Sequence, residues 1–308
     1  MKKIVSLVMV MAMLASVCLT GCGAADDGKF TVGVCQLMVH ESLDQATQGF
    51  VDAVTAELKA AGKEVEVDVQ VAGDQNLCPT VINTFTAKKM DLIMANATPA
   101  LLAAANATTT IPVLGTSVTD YESTFAGSIP ANVSGTSDAV PFAEQAQMMI
   151  DTLSLAAGDV VGVLYCTNES NSLIQYEAVK ALFEEKGIVV EAYTFSETTE
   201  LQALVTSMAA KVKAVYIPSD NTVAANDSIV GTICTEQKVP VYTSYGGAIC
   251  YASLAISYYD LGYETGVMAA QILLGNKTPA DYAVATLTPT VTYNEELCGQ
   301  LGIEVPNN

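Results

Sequence analysis

Apolar residues along this chain fall into short unbroken runs, each followed by a polar turn and then by a stretch whose apolar positions recur every three to four residues. The unbroken runs predict strands buried on both faces, and the spacing after them predicts amphipathic helices packed over those strands. The alternation comes twice. "VGVCQLMVHES" (32–42) opens the first half and "VGVLYCTNESNS" (161–172) opens the second. Each leads through a helix to a glycine, Gly62 or Gly187, placed where a helix C-terminus calls for one. A second strand follows in each half, "VEVDVQVA" or "VVEAYTFS", then a helix and a third strand, "MDLIMANATP" against "KAVYIPSDNT". The fourth pair is "IPVLGTS" (111–117) and "VPVYTSY" (239–245).

Two successive βαβαβαβ runs predict an α/β chain of two Rossmann-like lobes, each a parallel sheet with helices on both faces. In such sheets ligands lie beyond the carboxyl ends of the strands. Two lobes set mouth to mouth therefore enclose a cleft lined by equivalent loops. "YIPSDNTVA" (216–224) becomes a strand-end loop of the second lobe, and "ANATPA" (95–100) its counterpart in the first. The tail predicts a strand, a helix over 261–274, a Gly-Asn turn, a further short strand and a closing helix. These additions carry the chain between the lobes more than once. Hinges are expected near Asp138, Tyr245 and Thr278, with 30–138 and 246–278 forming the N-terminal lobe and 139–245 and 279–308 the C-terminal lobe.

The first residues add an address. Lys2 and Lys3 precede the apolar run "IVSLVMVMAMLASVCL", which ends in "LTGC", Leu19 to Cys22. This resembles the bacterial lipobox, which implies a signal peptide over 1–21, lipid attachment at Cys22 and a tether over 22–29. No other run approaches the ~20 apolar residues that span a bilayer. An extracytoplasmic body, lipid-anchored to a bacterial cell membrane, is the expectation.

Charge and chemistry then narrow the classes. The chain sets 13 cations against 33 acids, and every cation is lysine. Without a basic footprint, nucleic-acid binding and a polybasic grip on lipid are both excluded. Six cysteines follow Cys22, at 35, 78, 166, 234, 250 and 298, widely spaced and without a CxxC, which reads as buried free thiols. His40 is the sole histidine. A site of several imidazoles is ruled out, and no G-x-S-x-G elbow or glycine-rich phosphate loop accompanies it. We expect no enzyme, no metal and no cofactor.

Several segments, "HESLDQATQGFVDAV", "DLIMANATPALLAAANAT", "IPVLGTSVTD", "NVSGTSD", "NESNSLIQ", "PSDNTVA" and "YYDLGYETGVMAAQILLG", together resemble the substrate-binding lipoproteins of ABC importers. The branch they resemble is the one linked to tryptophan and other aromatic amino acids, and the likeness runs over about residues 30–303. It implies the type I periplasmic-binding-protein fold: a monomer that clamps a small molecule, an aromatic or other hydrophobic amino acid first, by hinge closure and delivers it to a membrane permease. Carried over residue by residue, it implies ligand contacts from Gln36, Thr98, Pro99, Thr119 and Asp120 in the first lobe. From the second lobe it implies Asn168, Asn171, Ser172, Asp220, Asn221 and Tyr245. Tyr121 after Asp120, and Tyr245-Gly246, depart from the family pattern and bear on specificity.

The residues themselves leave alternatives. Asp220 suits a ligand ammonium, yet it or Asn221 equally suits the N-cap of a helix starting at Thr222. Thr98-Pro99 reads as a carboxylate-binding helix start or as a plain cap with proline at N1. Without arginine, a ligand carboxylate must be held by hydroxyls and backbone N–H groups. Tyr121, Tyr165 and Tyr245 are candidates to flank an apolar ligand, or are core. Rival readings are a sugar or nucleoside in the same cleft, a sensory or adhesive lipoprotein, and an enzyme dependent on His40.

Overall fold

In the computed structural model, which describes residues 29–306, the first apolar run is β1 (Lys29–Gln36), buried from Val32 onward. The leader, Cys22 and the tether up to residue 28 lie outside the described residues. After β1 come α1 (Glu41–Ala60), β2 (Glu64–Val71), α2 (Cys78–Lys88), β3 (Leu92–Asn96) and α3 (Thr98–Ala107). β4 (Val113–Val118), the single turn α4 (Tyr121–Thr124) and β5 (Val133–Ser137) complete the first half. The second half repeats the order with α5 (Phe142–Leu153), β6 (Val160–Cys166), α6 (Ser170–Glu185), β7 (Val189–Phe195) and α7 (Leu201–Ala209). It continues through β8 (Ala214–Ile217), α8 (Asn221–Ala224), α9 (Asp227–Glu236) and β9 (Val241–Thr243). The tail adds β10 (Ala252–Ala255), α10 (Tyr258–Leu273), β11 (Ala285–Thr286), β12 (Thr290–Tyr293) and α11 (Glu295–Leu301).

Two parallel sheets result, ordered β11-β5-β4-β3-β1-β2 and β7-β6-β8-β9, with β10 and β12 as a separate antiparallel pair. The central strands β3, β4 and β5 are buried along their whole length, as sheets covered on both faces require. β2, "EVEVDVQV", alternates instead because it is an edge. Gly62 and Gly187 take φ of 73° and 75° just beyond α1 and α6, as the repeated pattern predicts.

The first lobe is clasped by α1 and α10 packed almost backbone to backbone. A Cβ at Gly262 would stand 1.9 Å from the Ala46 carbonyl oxygen, and one at Gly49 would stand 2.0 Å from that of Tyr259. α10 thus belongs to the first lobe although it lies late in the chain.

Three segments join the lobes: residues 138–141 between β5 and α5, residues 256–257 between β10 and α10, and residues 287–289 between β11 and β12. The later two differ from the boundaries expected at 246 and 278. Residues up to 255 stay with the second lobe because Tyr251 and Ala252 are buried in its core with Val161, Tyr216 and Tyr242. β11 stays with the first because Ala285 and Thr286 pair with Thr136 and Ser137 of β5. The six cysteines from Cys35 to Cys298 are all buried and free.

Candidate ligand-binding site

The lobes face each other across the carboxyl ends of their strands, and side chains bridge the gap. His40 Nε2, before α1, lies 3.3 Å from Asn221 Oδ1 at the start of α8. Gln175 Nε2 on α6 donates to Thr119 Oγ1 at 3.3 Å. Between the lobes lies a narrow space lined by His40, Ser117, Asp138, Asp220, Tyr245 and Tyr258, among others. With the lobes in this position the space has room for about one water molecule, so a larger ligand enters only as the lobes part.

Three lining groups are buried polar atoms without a hydrogen-bond partner among the described residues: Ser117 Oγ, Asp138 Oδ1 and Tyr245 OH. Buried polar groups are nearly always paired, so three orphans around one space mark where a ligand's polar atoms belong. Each is aimed by local structure. Ser117 sits where β4 carries one residue more than β5, between the pairs Gly115–Gly135 and Val118–Ser137, and its φ is 55°. Such a bulge re-aims a side chain that the sheet would otherwise hold. Asp138 occupies the first crossing between lobes, its Oδ2 accepting from Tyr258 OH at 2.9 Å. Burial pushes its carboxyl above the ordinary range, offset in part by the neighbouring Tyr258 and Thr119 hydroxyls. Tyr245 follows β9, and burial likewise raises its phenol.

The residues expected from the sequence divide into groups. Asp220, Asn221 and Tyr245 line the inner space. Both Asp220 oxygens are committed within the second lobe. Oδ1 caps α8 through Val223 N at 2.9 Å, and Oδ2 accepts from Cys166 N and Ser172 Oγ, each at 2.8 Å. Burial, and then the neighbouring Glu169, push its carboxyl well up. Asn171 donates to the Ser219 carbonyl at 2.7 Å, leaving its own Oδ1 buried and unpaired. Pro99 and Asn168 border a second and larger space between the lobes, of about 320 Å³, which Glu169 and Thr222 also line.

Gln36 and Asp120, also expected from the first lobe, bond within that lobe. Gln36 donates to Asp44 Oδ1 at 2.6 Å and to the Met38 carbonyl, and accepts from Thr47. Asp120 caps α4 through Ser123 N at 2.9 Å. Thr98 is buried as the first residue of α3, after Ala97 at φ 93°.

Ser117, Asp138, Tyr258 and Glu169 were not among the expected residues. A buried acid in a hinge carries no motif. The one available signal was that Asp138 ends "NVSGTSD", a polar run breaking off at a predicted hinge.

The family model for ABC transporter substrate binding proteins matches residues 31–308. The chain belongs to that family. A tyrosine-binding protein of Clostridioides difficile (strain R20291) is 33% identical to this substrate-binding protein, over 98% of this chain and 93% of its own. Its fold matches an ABC domain from Streptococcus pneumonia solved with L-Trp, at 32% identity and a TM-score of 0.81, over 90% of this chain and 96% of that one. A ligand-free, open substrate binding protein with adhesive properties from Clostridium difficile matches at 33% identity but a TM-score of 0.66, over 91% and 97%. This binding protein, its lobes joined by the His40 and Gln175 bridges, superposes better on the L-Trp-bound structure than on the open, ligand-free one. The type I periplasmic-binding-protein architecture implied by the resemblance is therefore the fold of the chain.

Proposed function

We propose that this substrate-binding protein captures an aromatic L-amino acid, tyrosine or tryptophan, between its lobes, as a lipid-anchored extracytoplasmic receptor serving an ABC permease. The observation carrying the reading is the unpaired Asp138 Oδ1 inside the interlobe space. It offers a desolvated acceptor to an α-ammonium, the strongest kind of hydrogen bond available there. The Ser117 hydroxyl is free to donate to the ligand carboxylate, as a chain without arginine requires. Tyr245 and Tyr258 supply aromatic walls for the side chain. The ligand identities come from the tyrosine-binding and L-Trp-bound relatives. In this reading Asp220 is the scaffold of the second lobe's wall and Asp138 the cationic anchor. Contacts from both lobes coexist only when the cleft is closed, so ligand shifts the population toward closure.

Thermal melting with a panel of amino acids, sugars and nucleosides tests it. A ligand at about 100 times its Kd raises stability by about 2.7 kcal/mol. L-tyrosine or L-tryptophan should give that response. A shift with a sugar or nucleoside and none with any amino acid would overturn the reading.

A further inference from the structure

Glu169 is a nearly fully buried acid, 4% exposed, on the loop after β6, and it spends both oxygens on the start of α8. Oε2 accepts from Asn221 N at 2.9 Å and Asn221 Nδ2 at 2.7 Å, and Oε1 accepts from Thr222 N and Thr222 Oγ1, each at 2.7 Å. Backbone N–H and amide NH₂ groups can only donate, so the carboxyl group faces them purely as an acceptor. The Asn221 amide is thereby fixed in one of its two flips. Its nitrogen points to Glu169 and its oxygen points across the cleft to His40 Nε2 at 3.3 Å.

We propose that Glu169 is the positioning residue of cleft closure: by holding the Asn221 nitrogen, it presents Oδ1 to the first lobe, so that closure requires a hydrogen-bond donor on His40 Nε2. This inference goes beyond the ligand assignment and rests only on the lobes closing around whatever they hold. A donor at Nε2 is present in the imidazolium and in the neutral ring protonated at that nitrogen. The wild-type latch accepts both. Were the Asn221 amide reversed, its nitrogen would face His40, and only a neutral ring with a bare Nε2 could close.

The surroundings of His40 are acidic. Glu169 faces it from the loop after β6, Asp227 from α9 and Asp44 from its own helix, while Glu41 beside it is exposed. Asp138, Asp220, Tyr245 and Tyr258 line the same space. Burial pushes the imidazole below its ordinary value, against the pull of the Asn221 oxygen and of these carboxylates. Closure therefore sheds some protonation at His40 but keeps most of its tolerance for the cation, because Glu169 keeps an acceptor in front of it.

Glu169→Gln tests this. The glutamine amide is nearly the same shape, but its NH₂ must face one of the two donor pairs, which favours reversal of Asn221. Affinity for L-tyrosine is measured by calorimetry from pH 8 to 5.5 on untagged protein, so that His40 is the only imidazole. Wild-type binding at pH 8, taken first, decides the ligand reading by itself; if L-tyrosine is not bound, the same series is run with L-tryptophan. If only the neutral ring closes, about a tenth of the protein is competent at pH 5.5, given an ordinary histidine near 6.5. Glu169→Gln should then lose about tenfold more affinity over that range than wild type does, any protonation of Asp138 being common to both. His40→Gln, whose amide offers a donor or an acceptor by rotation and does not titrate, should flatten both profiles over the histidine range. The nitrogen-15 spectrum of the ligand-saturated protein gives a second readout: Nε2–H in wild type and Nδ1–H in Glu169→Gln. The same pH profile and the same tautomer in Glu169→Gln as in wild type would overturn the proposal. So would a steep Glu169→Gln profile that survives in the double variant with His40→Gln. If Glu169→Gln does not fold, His40→Ala, which removes the donor, should weaken binding by wild type more than about threefold at pH 8 but have no further effect in Asn221→Ala, which lacks the oxygen; an equal loss in both backgrounds would overturn it equally.

Discussion

Asp138→Asn removes one charge from the centre of the cleft and almost nothing else. The side chain is 5% exposed, one oxygen accepts from Tyr258 at 2.9 Å and the other is unpaired. An asparagine can still accept from Tyr258, so the scaffold is kept. With an ammonium ligand, the lost interaction is a desolvated, charge-assisted hydrogen bond, worth about 2–4 kcal/mol when one partner is neutralised. Affinity for L-tyrosine or L-tryptophan should fall roughly 30- to 900-fold at pH 7, read by titration calorimetry. The ligand-free protein should respond in the opposite sense. Burial raises the Asp138 carboxyl in the folded state, so between about 3.9, its unfolded value, and that raised value the folded chain holds more protons than the unfolded one. Stability from this group is therefore greatest at acid pH and is lost as pH rises through the folded pKa. Ligand-free Asp138→Asn should melt above wild type at pH 7, and the gap should close toward pH 4. Ligand affinity of wild type should fall as acid protonates the anchor. An affinity within threefold of wild type in a folded variant would refute the assignment.

Asp220→Asn should instead damage the fold. Its Nδ2 would face Cys166 N, orphaning a buried donor at a cost of about 1–3 kcal/mol, seen as a lower urea midpoint with or without ligand. Gly262→Ala drives a methyl into the Ala46 carbonyl and should destabilise by more than about 1 kcal/mol, whereas Gly299→Ala on α11, with open space around it, should stabilise by about 0.5–1 kcal/mol in the same thermal scan. The six thiols from Cys35 to Cys298 should react with an aromatic disulfide reagent only once the chain unfolds, and reductant should leave the melting temperature unchanged; a fast-reacting thiol in the native protein would contradict their burial.

The fold was legible because its signals are local and come in duplicate. The apolar runs at 32–36 and 161–166 and the glycines at 62 and 187 each announce an element from their own neighbours. The lobe boundaries in the tail were less so. Whether residues 246–255 follow one lobe or the other depends on Tyr251 reaching the core of the second, a contact made far along the chain. The inner site depended most on distant partners. Asp138 is buried because Tyr258, 120 residues on, closes over it. Asp220 stood out in "PSDNTVA" because an acid before a helix is visible locally, and the local reading, a cap, is the contact it makes. Glu169 was hidden in plain polar sequence, its role fixed only by the return of the chain at Asn221.

The hydrogen bond between Tyr258 and Asp138 ties together the first two strands that pass between the lobes, one leaving β5 and the other entering α10. An anchor placed there belongs to neither jaw but to the axle on which they turn. A ligand seated on it travels little while the jaws swing, so the orientation won at first encounter is carried into the closed form. Release can run the same course backward, the jaws parting first and the axle letting go last.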